Sequence, residues 1–330
     1  REGWKGPVFI QGDHFQVNLK KYLADPAAEM DVVKDITAEA IKAGFFNIDV
    51  DTSTLVDLAR EGHEAQQQAN GERCAELTAF IRDHEPKGVT VSVGGEIGEV
   101  GSQNSTAEEL QAFMKVYAAS LARLAPGAAG LSKISIQTGT SHGGVPLPDG
   151  SIAQVKIDFD AIDTLSRLAR SPFGMAGAVQ HGASTLPAEL FNRFPQLGAC
   201  EIHLATEFQN MIFDSPAFPA DMKQAIYAKL RETEAGDRKS TDTDEQFFYK
   251  TRKKALGGWK RELWSMPVAA RQAIGQALED KFRFLLTQLA AGGTRALAEK
   301  HAPFVPGSFP SAAATVGAGK GPEDVTGLSD

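Results

Sequence analysis

The sequence predicts an α/β chain, read as a (β/α)8 TIM barrel whose first two β/α units are missing, with a helical arm at its C-terminal end. Three observations lead there. Six short segments rich in apolar and β-branched residues recur, each followed by a stretch with apolar residues at three- and four-residue intervals. Most of the six are too apolar to keep a solvated face, as expected of parallel strands covered on both sides. Histidines fall at or near the ends of four of them, and in a barrel every strand opens its C-terminal end onto one face. An open doubly wound sheet is the alternative.

The expected strands lie within residues 6–14, 45–53, 89–98, 133–144, 175–184 and 199–207. The expected helices are 31–43, 73–84, 107–124, 160–169 and 187–193. Leu110, Phe113, Met114, Tyr117 and Leu121 form one apolar stripe, which is assigned to the core. Six units are two short of a closed barrel, and the other two are expected upstream of Arg1, where the chain opens without Met. After Glu207 the pattern changes: 211–234 reads as helical, 235–244 as a polar loop and 245–291 as charged helix. Residues 1–210 are therefore read as the barrel core and 211–302 as an arm that supports the site or packs on a second subunit. Residues 303–330, rich in Ala, Gly, Pro and Ser, are read as a disordered tail.

Composition narrows the function. With 42% hydrophobic and 23% charged residues, the chain has the make-up of a globular protein. A net charge of −8, with no basic run beyond residues 250–254, lacks the footprint of nucleic-acid binding. No apolar run approaches the roughly 20 residues of a membrane span, and the first residues show no basic region followed by an apolar core. A cytoplasmic location and a homo-oligomer are expected. Cys74 and Cys200, the only cysteines, are expected to be buried thiols rather than a bridge.

Four of the seven histidines carry the chemical signal. His14 ends the first strand in GDH, His142 follows the fourth in GTSHGG, His181 ends the fifth in QHGAS, and His203 lies in the sixth in EIHLATE. Three imidazoles with a vacant position make an open catalytic metal site. Asp13, Asp49, Asp51 and Glu96 share that rim. A carboxylate aimed at substrate can exchange a proton, whereas one behind a ligand histidine fixes its ring. Asp49, further from the strand end, is read as a salt-bridge partner or as a hydrogen-bond partner of a ligand histidine. Gly139, Gly143 and Gly144 on one loop, and Gly182, Ser184 and Thr185 on the next, suit an anion such as phosphate.

Taken in order, DH (Asp13, His14), D-x-S (Asp51 to Ser53), E-I-G (Glu96 to Gly98), GTSHG (Gly139 to Gly143), HGAS (His181 to Ser184) and ATE (Ala205 to Glu207) resemble class II fructose-bisphosphate and tagatose-bisphosphate aldolases. The resemblance covers about residues 6–210. It implies that His14, His142 and His181 ligate a catalytic Zn²⁺, with Glu96 and Asp51 around the metal. It implies that Asp13 moves the proton on the hydroxyl at the bond being cleaved, and that Gly143, Gly182, Ser184 and Thr206 bind the phosphorylated sugar, near a monovalent cation. The implied reaction is reversible cleavage of fructose 1,6-bisphosphate to dihydroxyacetone phosphate and glyceraldehyde 3-phosphate.

Three departures stand out. Asn104, in GSQNS, occupies the place of the family's mobile glutamate, and an amide cannot serve as that base. His203 replaces an asparagine that contacts substrate, and three roles are open to it: substitute for that asparagine, metal ligand, or catalytic base. The family's D-P-R arginine has no counterpart in Asp244-Glu245-Gln246, leaving Lys250, Arg252 and Lys253 as substitutes. A ketose-phosphate epimerase using retro-aldol chemistry and a noncatalytic barrel subunit are the alternatives.

Overall fold

A computed structural model describes residue 6 and residues 8–98, 103–140, 147 and 156–303. His142, Gly143, Gly144 and residues 304–330 lie outside the described residues. Strands form in all six expected places: β1 (Gln11–Gln16), β2 (Asn47–Asp51), β3 (Ser92–Glu96), β4 (Lys133–Ile136), β5 (Ala178–Gln180) and β6 (Glu201–Ile202). β1 departs from the expected 6–14: Val8, Phe9 and Ile10 are exposed and lie outside the strand, and His14 sits inside it rather than at its end. They make one parallel sheet in sequential order, with β1 and β6 at its edges. The chain is therefore α/β with a half-barrel parallel sheet. The edge strands approach through side chains, Gln11 Nε2 donating to Glu201 Oε1 at 2.6 Å.

The longer helices are α1 (Leu19–Ala24), α2 (Pro26–Lys42), α3 (Gln68–His84), α4 (Ala107–Leu124), α5 (Phe159–Arg170), α6 (Thr206–Phe213), α7 (Ala220–Thr233), α8 (Asp244–Thr251), α9 (Val268–Gln288) and α10 (Arg295–His301). Helix α4 has the expected limits because a reciprocal cap fixes its start: Thr106 Oγ1 accepts from Glu109 N, and Glu109 Oε2 accepts from Thr106 N. Its stripe of Leu110, Phe113, Met114, Tyr117 and Leu121 is buried in the core. Helix α2 starts before the expected 31, because Asp25 caps Ala27 and Ala28 and Pro26 opens the first turn.

Some expectations fail. Residues 187–193 form no continuous helix but one 3₁₀ turn, Ala188–Leu190, with a second short turn at Arg193–Gln196. Pro187 and Pro195 leave too little room for more, while Phe191 and Phe194 pin the segment to the core. The helical readings of 211–234 and 245–291 are interrupted around Pro216 and Pro219, by the 3₁₀ turn Arg252–Lys254, at Trp259, and before Pro267. Cys200 is exposed, whereas Cys74 is buried, and both are free. A second buried cluster, centred on Phe213, Ile226, Leu230, Phe247 and Ile274, lies apart from the main core.

Candidate metal and substrate site

Successive strand residues normally face opposite sides of a sheet. In β1 the register slips between Gly12 and Phe15, and His14 adopts φ 48°. This bulge turns the neighbours Asp13 and His14 toward the same space. A left-handed backbone at a non-glycine residue is strained, and such strain gathers at functional sites.

His14 Nδ1 lies 3.1 Å from Asp51 Oδ2, and Nε2 lies 2.8 Å from His181 Nδ1. His181, 6% exposed, has its Nε2 3.3 Å from Ser135 Oγ on β4. Glu96 Oε2 stands 3.4 Å from His14 Nδ1. Ligand atoms of His14, Glu96 and His181 all lie within 4.8 Å of one another. Because a carboxylate only accepts, Asp51 holds the proton on His14 Nδ1 and turns Nε2 toward His181. Two imidazole lone pairs aimed at each other at that distance repel, and a proton or a divalent cation between them removes the repulsion. The donor set therefore fits a metal such as Zn²⁺.

Asp51 is 1% exposed, and both its oxygens are engaged: Oδ2 by His14 and by Gln16 Nε2 at 2.7 Å, Oδ1 by Ser53 N at 3.1 Å and Ser53 Oγ at 2.7 Å. It stands behind His14 as an orienting carboxylate. Burial opposes charge on His14, yet the hydrogen bond to Asp51 and the charges of Glu96, Asp13 and Asp51 push its pKa up to about 10.

The carboxylate of Asp13 is 41% exposed and opens to the site, with Oδ1 3.9 Å from His14 Nε2 and 4.0 Å from His181 Nε2. Oδ2 lies 2.9 Å from His203 Nδ1. Burial works against ionisation of Asp13, but the hydrogen bond from His203 and the charges of His203, His181 and His14 hold it well below the usual carboxylate range. His203 Nε2 meets Glu201 Oε1 at 2.6 Å, so both ring nitrogens face carboxylates. Burial disfavours the imidazolium, but hydrogen bonds to Asp13 and Glu201 and the charges of Asp13 and Asp49 raise its pKa to about 9. The ring stacks on His181 with centroids 4.3 Å apart.

Beyond the histidines, Gly182 takes φ 69° and leads into the 3₁₀ turn Ala183–Thr185, which contains Ser184 and packs against α6, the helix that Thr206 opens. Gln180 Nε2 donates to the His181 carbonyl and to Thr140 Oγ1, fixing the strand end on which His181 sits. Asn104 donates to Asp158 Oδ2 at 2.8 Å, and Asp158 caps α5, so this amide is tied to the frame. Of the basic residues on the later helices, Arg252 is buried on Asp214 and Asn210, and Lys250 pairs with Asp242. Sequence reasoning missed Ser135, Glu201 and Lys133. Their interior direction follows from the two-residue period of β4 and β6, but the partners come from distant strands.

The family model described as fructose-bisphosphate aldolase class-II matches residues 2–285. The chain belongs to this class II aldolase family. The chain is also similar to a "probable tagatose 6 phosphate kinase" from Sinorhizobium meliloti 1021, with 18% identity and TM-score 0.57, covering 89% of this chain and 76% of that one. At that identity the likeness speaks for the fold. A fructose-1,6-biphosphate aldolase candidate from Coccidioides immitis matches with 14% identity and TM-score 0.40, over 89% of this chain and 72% of that one. The YdjI aldolase from Escherichia coli K12 matches with 14% identity and TM-score 0.35, over 78% and 68%.

Proposed function

We propose that this aldolase-family chain cleaves a phosphorylated ketose reversibly, with a divalent metal, Zn²⁺ by preference, held by His14, His181 and Glu96 and completed by His142, which lies outside the described residues. Fructose 1,6-bisphosphate is the leading substrate. The observation that carries the reading is the facing pair His14 Nε2 and His181 Nδ1 at 2.8 Å, each ring held from behind. A metal held there would supply Lewis acidity to the oxygens of the substrate's ketose group. Asp13, exposed toward the same space and held ionised by His203, takes the proton of the hydroxyl whose carbon–carbon bond breaks. Gly182, Ser184 and Thr206, with Gly143, are the proposed contacts for the phosphate, aided by the helix start at Thr206, which carries no side-chain cap. A monovalent cation near that phosphate belongs to the same proposal.

Residues 1–210 carry the site in this reading, and the separate apolar cluster supports treating 211–302 as an arm. The test is turnover of phosphorylated ketoses with and without a chelator, with product analysis. Triose phosphate formed only with metal supports the proposal; metal-independent turnover, or none with any ketose, refutes it. A second reading, retro-aldol epimerisation, is favoured by Asn104: its amide, tied to Asp158, stands where the family places the acid that handles the donor proton. A changed ketose stereocentre without triose would select it.

A further inference from the structure

Barrel interiors are ordinarily filled with branched apolar side chains. One level below the histidines this interior is charged. Lys133 on β4, its side chain 4% exposed, places Nζ 2.9 Å from Asp49 Oδ1 and 2.6 Å from Glu201 Oε1. Gln11 Nε2 donates to Asp49 Oδ2 at 2.5 Å and to Glu201 Oε1 at 2.6 Å. β3 contributes no side chain at this level. Gly94 is the register partner of both Asp49 and Lys133, and a Cβ there would fall on the Asp49 carboxylate and 3.0 Å from Lys133 Cε. Glycine is what admits the buried pair.

Burying an ammonium and two carboxylates costs several kcal/mol unless they pair well. The arrangement has a use beyond stability, because one oxygen joins it to the site above. Glu201 Oε1 receives Lys133 Nζ, Gln11 Nε2 and His203 Nε2, each at 2.6 Å. The Glu201 side chain is 31% exposed, so without its fixed counter-charge it has solvent to turn into.

We propose that Lys133 is a positioning residue for the reaction: it clamps Glu201, Glu201 holds His203 Nε2, and His203 thereby presents Nδ1 to Asp13. The inference rests on the reading of Asp13 as the proton-transfer group. The charge-assisted contacts of this chain are directional, so loss of the clamp misaims Asp13 while leaving His14, His181 and Glu96 in place.

The test compares Lys133→Met, Asp49→Asn and the double variant Asp49→Asn/Lys133→Met, all purified with bound metal. The double variant keeps the floor free of an unpaired buried carboxylate at Asp49 and decides the matter if Lys133→Met does not fold. In Lys133→Met and the double variant kcat is expected to fall about 10- to 100-fold, as for lost orienting contacts, with KM and metal content close to wild type. Asp49→Asn, which retains the Lys133–Glu201 contact, loses less turnover than Lys133→Met. Adding Lys133→Met to Glu201→Gln gives little further loss, because the two act through one chain. The His203 Nδ1–H resonance, followed by ¹⁵N-resolved NMR, moves upfield in the Lys133 variants as its bond to Asp13 loosens. Unchanged kcat in the folded double variant, equal loss in Asp49→Asn alone, additive losses with Glu201→Gln, or an unmoved His203 resonance would overturn the proposal. A wild-type protein without ketose cleavage whose His203 resonance still moves on loss of Lys133 would sustain the positioning and sink the proposed reaction instead.

Discussion

Replacing Asp51 by asparagine changes one atom and tests the tautomer of His14. Four donors converge on this carboxylate: His14 Nδ1, Gln16 Nε2, Ser53 N and Ser53 Oγ. The backbone N–H of Ser53 cannot turn to accept, so the new amide keeps its oxygen there and aims its NH₂ at His14 and Gln16. His14 Nδ1 must then accept, which moves the ring proton to Nε2, the atom facing His181. Loss of such an orienting partner costs about 10- to 100-fold in metal affinity, or about 1.4 to 2.7 kcal/mol. A competition titration of Zn²⁺ against a chromophoric chelator reads that change, with circular dichroism to show the fold intact. Folded Asp51→Asn protein with wild-type zinc affinity would refute the tautomer argument.

Removing His181 as His181→Ala should abolish bound metal and most turnover without unfolding the chain, since an open site loses too much with one ligand gone; retained zinc by elemental analysis would count against it. The stabilising contribution of His203, whose pKa is raised from 6.5 to about 9, is fully present below pH 6.5 and is lost as pH rises through about 9. Glu201, at about 2 instead of 4.5, contributes above pH 4.5 and loses that contribution as pH falls through about 2. The gap in denaturation midpoint between metal-free wild type and His203→Gln should therefore be widest near pH 5–6.5 and close above about 9; a gap that grows with pH would contradict the assigned contacts. Asn104→Ala removes the donor to Asp158 and should cost about 1 kcal/mol in urea unfolding with turnover little changed. A hundredfold drop in turnover would instead give Asn104 a part in the chemistry. Gly94→Ala drives a methyl onto the Asp49 carboxylate and should destabilise by about 1–3 kcal/mol, read from the same unfolding curve.

The later strands were legible because buried parallel strands write apolar runs, and α4 because a complete cap accompanies a clean stripe. β1 was placed too early, because the apolar run at 8–10 is exposed and the strand itself is the mostly polar Gln11–Gln16. Single-chain periodicity was less informative after Glu207, where prolines and paired glycines cut long apolar patterns into short helices. Within the site, Glu96 and His181 were readable from their place at strand ends, whereas Asp13 and His14, expected at one, lie inside β1; the structure brings all four together. The bulge that lets Asp13 and His14 share a face was not readable, because neither residue type announces a left-handed backbone. Nor was the charged floor. Asp49 could be read as a salt-bridge or hydrogen-bond partner, but its cation, Lys133, sits alone in an apolar strand two places along the sheet. Only the register of β2, β3 and β4 across Gly94 pairs them.

Anomalous diffraction from crystals of the zinc-loaded protein tests the central claim most directly. The account predicts a single strong zinc peak about 2.0–2.1 Å from both His14 Nε2 and His181 Nδ1. A peak held instead by Asp13, His181 and His203, whose ligand atoms also lie within 4.8 Å of one another, or no peak among these side chains at all, would contradict it.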